Sequence, residues 1–184
     1  IEDLSTAFAD SSFEVFRRVI ASGGCVRGFA VAGGGTASRR ELDEWVELAK
    51  QLGASGLIWV RTSQDGSVQS PVLKAAGDAP LRRALEAVRA GTADLLLIAA
   101  GTQAATSKLL GDLRLAVAKK RQLLDPNARE LTWVIDFPLF EWSEDHGRWD
   151  AMHHAFTMPQ SGYEKYIESD PGKVLAHCYD LVCN

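Results

Sequence analysis

The residues best equipped for chemistry lie in the last third of the chain. His153 and His154 are adjacent. Neighbouring side chains of an extended segment point to opposite faces, so the pair does not readily share one metal ion. No His-Glu-x-x-His pattern supports a zinc peptidase. Read by itself, one of the two is a hydrogen-bonded core histidine. Asp136 and Asp180 each sit among apolar, strand-like residues. A buried carboxylate needs a cation, a metal or N–H donors, so each is expected either as a structural cap or ion pair or as a functional group. Trp133, Phe137, Phe140, Trp142 and Trp149 are expected in the core. A base-stacking platform is disfavoured because no basic residues interleave with them.

Two further patterns invite a phosphate or nucleic-acid reading. Gly33-Gly34-Gly35-Thr36 is glycine-rich but lacks the Gly-Lys-Ser/Thr ending, and no lysine is near enough in sequence to reach a phosphate. It is expected as a strand-to-helix loop. Lys108, Arg114, Lys119, Lys120 and Arg121 cluster on one long helical stretch and are expected as a solvated face. Cys25, Cys178 and Cys183 form no Cys-x-x-Cys pair and are expected as reduced, mostly buried thiols.

These residues must be positioned by a folded chain. Of 184 residues, 46% are hydrophobic and 24% charged, a balance that excludes disorder. No apolar run reaches the roughly 20 residues that span a bilayer. The start, Ile1-Glu2-Asp3-Leu4, carries neither a basic signal-peptide flank nor an initiator methionine, as expected of a processed or excised chain. The net charge of −4 is uneven: residues 1–124 sum to +3 and residues 125–184 to −7. That shift, at the turn-like Asp125-Pro126-Asn127, predicts a domain boundary.

The first part alternates helices and strands. Capping boxes are read at Ser11/Glu14 and Ser38/Glu41. Leu42, Trp45, Val46, Ala49 and Leu52 make one helix face, Leu81, Leu85 and Val88 another, and Leu109, Leu110, Leu113 and Val117 a third. Cys25 to Ala32, Leu57 to Val60 and Asp94 to Ala100 are predicted strands, and Asp65-Gly66 predicts a hairpin turn. In the second part Leu131 to Asp136 and Tyr179 to Asn184 read as strands, and Pro138 argues for an edge or a bend.

Three ordered blocks carry a resemblance. Trp133-Val134-Ile135-Asp136-Phe137-Pro138-Leu139-Phe140-Glu141-Trp142, then Met152-His153-His154-Ala155-Phe156-Thr157-Met158-Pro159, then Tyr179-Asp180-Leu181-Val182-Cys183-Asn184 closely resemble bacterial-type aspartyl-tRNA synthetases, a class II family. Residues 1–122 resemble that family's GAD insertion domain, with strings such as Gly56-Leu57-Ile58-Trp59-Val60 and Ser70-Pro71-Val72-Leu73-Lys74. Ala155 stands where many members have proline, and some bacterial members share the alanine.

The resemblance implies an α+β chain in two parts. Residues 1–124 would be an insertion domain of helices packed on a mixed sheet, and residues 125–184 a fragment of the antiparallel class II catalytic sheet. It implies a parent that ligates L-aspartate to tRNA through aspartyl-adenylate, with ATP as substrate and Mg2+ as its metal. The parent would be a cytoplasmic homodimer with no membrane association. His153 would bind L-aspartate, His154 would stand behind it, and Asp180 would hold Mg2+ with ATP. No catalytic residue is expected within the chain, and the chain alone is expected to be inactive as an excised middle piece. Two other readings are weighed: a non-catalytic tRNA-contacting module related to the amidotransferase insertion domain, and a small metal-dependent hydrolase using His153 and Asp180.

Overall fold

A computed structural model describes residues 1–183. Asn184, the end of the third sequence block, lies outside the described residues. The chain divides into two compact units, Ile1–Leu124 and Asp125–Asn184.

The first unit contains strands β1 (Glu2–Asp3), β2 (Cys25–Val31), β3 (Ile58–Thr62), β4 (Val68–Gln69) and β5 (Leu95–Gly101). Its helices are α1 (Glu14–Ala21), α2 (Arg39–Gln51), α3 (Leu73–Ala76), α4 (Asp78–Ala87) and α5 (Gln103–Lys120). The strands form one sheet in the order β1-β2-β5-β3-β4, and every pairing is antiparallel. The expected mixed sheet is thus corrected. β2 and β3 run the same way, as a strand–helix–strand reading requires, but β5 inserts between them and pairs antiparallel with both.

The sheet is covered on both faces. Phe29, Val31, Leu95, Leu97 and Ala99 pack with Leu42, Trp45 and Ala49 of α2 and with Leu109, Leu110, Leu113 and Val117 of α5. The alternate residues Val26, Val60, Leu96 and Ile98 pack with Phe16 of α1 and Leu81, Ala84 and Leu85 of α4. Double coverage explains why β5 reads as an unbroken apolar run rather than an alternating one.

Local signals were partly obeyed. Ser38 caps α2, its Oγ accepting from the Glu41 N–H at 3.2 Å. Ser11 does not cap α1, whose N-cap residue is Phe13. Its buried hydroxyl donates instead to Ala76 O at the end of α3 and accepts from Phe13 N–H. The glycines of the 33–36 loop are required by backbone conformation at Gly33 and by close packing at Gly34 and Gly35. Gly33 has φ +63°, and a Cβ on Gly35 would meet Ala93 O at 2.8 Å.

The second unit contains β6 (Leu131–Val134), β7 (Phe140–Ser143), β8 (Arg148–Ala151) and β9 (Asp180–Cys183). β6 pairs with β9 and β7 with β8, both antiparallel, as two separate ribbons. Pro138 bridges Leu175 outside the strands, consistent with its missing N–H. Leu139, Val174 and Ala176 are the buried centre, with Phe137, Phe140, Tyr163, Tyr166 and Cys178 packed around them. The tryptophans expected in the core are exposed: Trp133 by 59%, Trp142 by 44% and Trp149 by 39%. A two-stranded ribbon has no second layer to cover its faces. Trp142 and Trp149 instead pair across the β7–β8 ladder, ring centroids 5.7 Å apart.

Candidate functional site

His153 follows β8 in a segment tied back to the buried cluster, since Met152 N–H donates to Leu139 O at 3.1 Å. The ring stands edge-on to Phe137, with Nε2 3.0 Å from Pro138 O and 3.9 Å from Cys178 Sγ. A carbonyl only accepts, so this contact places the proton on Nε2 and leaves Nδ1 as the nitrogen available to a ligand. His153 is half-buried. His154 has different company. Its exposed ring lies 5.0 Å from that of Phe156, and its Nδ1 accepts from Phe156 N–H at 3.3 Å.

The expectation of buried carboxylates at Asp136 and Asp180 is corrected, because both are exposed. The two-stranded ribbon leaves Asp180 in β9, opposite Val134, in contact with solvent. Asp136 stands just past β6 with φ +59°, and Gln160 Nε2 donates to its Oδ1 at 3.1 Å. Gln160 also reaches Ala176 O at 3.3 Å, linking Asp136 to the buried cluster. The structure therefore groups Phe137, Pro138, His153 and Cys178, and separately Asp136 with Gln160. Among the described residues, no group of three or more His, Cys, Asp and Glu side chains is placed to hold a metal ion.

The contributions of Gln160, Cys178 and the Pro138 carbonyl escape a sequence reading, because no spacing rule connects positions so far apart in an irregular segment. The thiols also differ from expectation: Cys25 is buried, Cys178 is half-buried and Cys183 is exposed. The basic cluster on α5 behaves as a solvated face. Lys108 pairs with Asp112, Lys120 with Glu44 and Arg121 with Glu41, while Arg114 and Lys119 are exposed. No helix among the described residues is long and apolar enough to cross a membrane.

Comparison with known proteins decides the family. The GAD domain family matches residues 16–110, half of the chain. The chain belongs to the GAD domain family. The matched GAD segment runs from within α1 into α5 and so includes the central sheet from β2 to β5. Similarity continues beyond it. An aspartate–tRNA(Asp/Asn) ligase of Caldanaerobacter subterraneus subsp. tengcongensis is 40% identical over 184 residues, covering all of this chain and 31% of the relative. An aspartate–tRNA ligase of Clostridium perfringens is 39% identical over 185 residues, and an aspartate–tRNA(Asp/Asn) ligase of Natranaerobius thermophilus is 41% identical over 185, with the same coverage. The GAD chain thus spans 31% of the length of these curated relatives.

Proposed function

We propose that this chain serves as part of an aspartate–tRNA ligase that activates L-aspartate with ATP and transfers it to tRNA. The observation that carries the reading is the extent of the similarity: the alignment, 40% identical over all 184 residues, runs on through residues 111–184, well past the GAD segment. A GAD module acting without a catalytic partner would give no reason for the second unit to share that identity.

Within this reading His153 contacts the substrate aspartate. The Pro138 carbonyl orients the ring and leaves Nδ1 to face the amino acid, accepting from its ammonium group or, when protonated, donating to a carboxylate. His154 holds the turn to Phe156 behind it. Asp180 is an exposed oxygen donor, which suits one position on a hard cation whose other ligands are ATP oxygens and water. Bound Mg2+ would supply charge neutralisation at the phosphates. The residues of this chain contribute positioning, the principal requirement of such group transfer. The parent would act as a cytoplasmic homodimer on tRNA for aspartate.

The test is aspartate-dependent ATP–pyrophosphate exchange by the longer protein that carries this segment. Exchange lost or weakened toward aspartate in His153→Ala supports the reading. A parent with no exchange on aspartate, or with exchange on another amino acid, overturns it. The 184-residue chain by itself should show none.

A further inference from the structure

A cleft of about 580 Å³ lies in the first unit, between the 33–37 loop, the β3–β4 hairpin and the Thr92-Ala93 segment before β5. Its lining contains no carboxylate and one cation, Arg61, together with the polar residues Thr36, Thr62, Ser63, Gln64, Gln69 and Thr92. From these residues we infer that the cleft is a phosphate-binding site.

Arg61 is the centre of the argument. It is half-buried, and its guanidinium is held by neutral acceptors. Nη1 donates to Gly35 O at 3.0 Å and to Ala37 O at 3.2 Å, and Nε donates to Gln69 Oε1 at 2.9 Å. The guanidinium also stands 5.6 Å from the ring centre of Trp59. Of the other half-buried arginines of this unit, Arg83 pairs with Asp10 and Arg121 with Glu41, while Arg27 donates to Ser107 Oγ at 2.6 Å and faces Asp3 across the β1–β2 ladder. Among the described residues Arg61 forms no ion pair, and it is oriented by dipoles that leave its positive charge uncompensated. A partly desolvated, fixed cation without a counter-charge is the basic requirement of an anion receptor.

The unfilled valences point to the class of anion. A guanidinium has five N–H donors, and the three contacts above use both hydrogens of Nη1 and the one of Nε. Only the Nη2 hydrogens remain, so a two-pronged grip on a planar carboxylate across adjacent nitrogens is unavailable. Hydroxyl-bearing residues on separate walls, Ser63 on one side and Thr92 on the other, suit a tetrahedral group with oxygens pointing in several directions. The glycine-rich loop takes part differently from a P-loop. Its Gly33 and Gly35 N–H groups are occupied by Asp94 Oδ1 and Ala93 O, and its Gly35 carbonyl instead fixes the arginine. The cation that sequence proximity did not provide arrives from β3 by folding.

The shared chemistry is a phosphate group, carried either by a small phosphate ester or by the backbone of a polynucleotide. The inference does not depend on the assignment of the aspartate site. It is tested by titrating the 15N-labelled 184-residue chain with inorganic phosphate, with adenosine monophosphate and with a short single-stranded RNA, chloride holding ionic strength constant. The expected result is saturable shifts of the Arg61 Nε–H and the Thr36, Ser63 and Thr92 amides in at least one arm. Response to phosphate or the nucleotide without RNA assigns a small ester, and much tighter response to RNA assigns a polynucleotide backbone. Arg61→Gln should abolish binding but also frees Gly35 and Ala37. Ser63→Ala with Thr92→Val leaves the guanidinium anchored, and should weaken binding about fivefold or more at an unchanged melting temperature. The inference is overturned by the absence of saturable shifts in every arm, by shifts centred on Arg114 and Lys119 instead, or by undiminished affinity in that double variant.

Discussion

The Nε2 atom of His153 lies 3.0 Å from the carbonyl oxygen of Pro138, fifteen residues earlier in the chain. This contact selects one tautomer and turns the other ring nitrogen outward, so the residue has both a structural tie and a free functional atom. The two roles separate experimentally. His153→Ala should lower the stability of the second unit by about 1 kcal/mol, the net value of one hydrogen bond. In the parent it should raise KM for aspartate about tenfold or more and leave KM for ATP near its starting value. A variant that melts earlier but keeps its aspartate KM would make His153 structural only.

The ion pair between Arg121 and Glu41 joins the end of α5 to the first turn of α2. The atoms are 2.9 Å apart, and the side chains are only 19% and 22% exposed. Arg121 also donates to Gly33 O, so one guanidinium ties both helices to the glycine loop. Glu41→Ala should cost about 1–2 kcal/mol in urea unfolding, more than an exposed pair would. The exposed pair Arg39–Asp43 serves as the control, and Asp43→Ala should change stability by less than about 0.5 kcal/mol.

Gly28 lies in the middle of β2, and a Cβ there would meet Leu97 O at 2.6 Å and Leu4 Cδ1 at 2.9 Å. The first obstacle is backbone of the central strand and cannot rotate away. Gly28→Ala should therefore destabilise the first unit by about 3 kcal/mol, read as a fall in the urea midpoint. Gly111→Ala, at a helical position with nothing within 4 Å, should be neutral or stabilising.

How much of this was legible in the sequence depended on how local the controlling interaction was. Ser38 announced α2, and the spacing of Leu109, Leu110, Leu113 and Val117 announced the buried face of α5, because caps and helical faces are set within a few residues. The insertion of β5 between β2 and β3 was not legible, because strand neighbours are chosen by non-local packing. Ser11 failed as a cap because its hydroxyl is anchored on Ala76 O, 65 residues away, and its oxygen accepts from Phe13 N–H rather than from Glu14 N–H. Of the candidate site, the types of His153 and Asp180 could be read and their surroundings could not. Apolar neighbours in β9 signalled burial for Asp180, but a lone ribbon exposes both faces. Arg61 meets Gly35 only through the fold.

Asp3 gives a pH-dependent signature. Hydrogen bonds from Ser5 hold its carboxyl below the ordinary value of 3.8. The folded state binds the proton less tightly than the unfolded state, so the contribution is complete above the unfolded value and is lost as pH falls through the folded one. Asp3→Asn should lower stability by a constant amount above about pH 5, and the difference from the unsubstituted chain should shrink on further acidification. Urea unfolding at a series of pH values measures it. A difference that grows below that pH would contradict the assignment.

The β6–β9 ribbon supplies the last prediction. Register pairs Leu131 with Cys183 and Trp133 with Leu181, so these four side chains share one face. Leu131, Trp133 and Leu181 are 65%, 59% and 52% exposed. A contiguous apolar face of this kind is a site for a covering partner. In the proposed parent that cover is further catalytic sheet and its packing. The same substitution should then behave oppositely in two contexts. In the 184-residue chain Leu181→Lys removes nothing from a packed core, so stability should move by less than about 0.5 kcal/mol, and binding of a hydrophobic dye should fall. In the parent the lysine would be driven into an apolar interface without a counter-charge, lowering soluble yield and the melting temperature. Equal tolerance of Leu181→Lys in both would mean that the ribbon is a free surface and that the catalytic-sheet assignment of residues 125–184 is wrong.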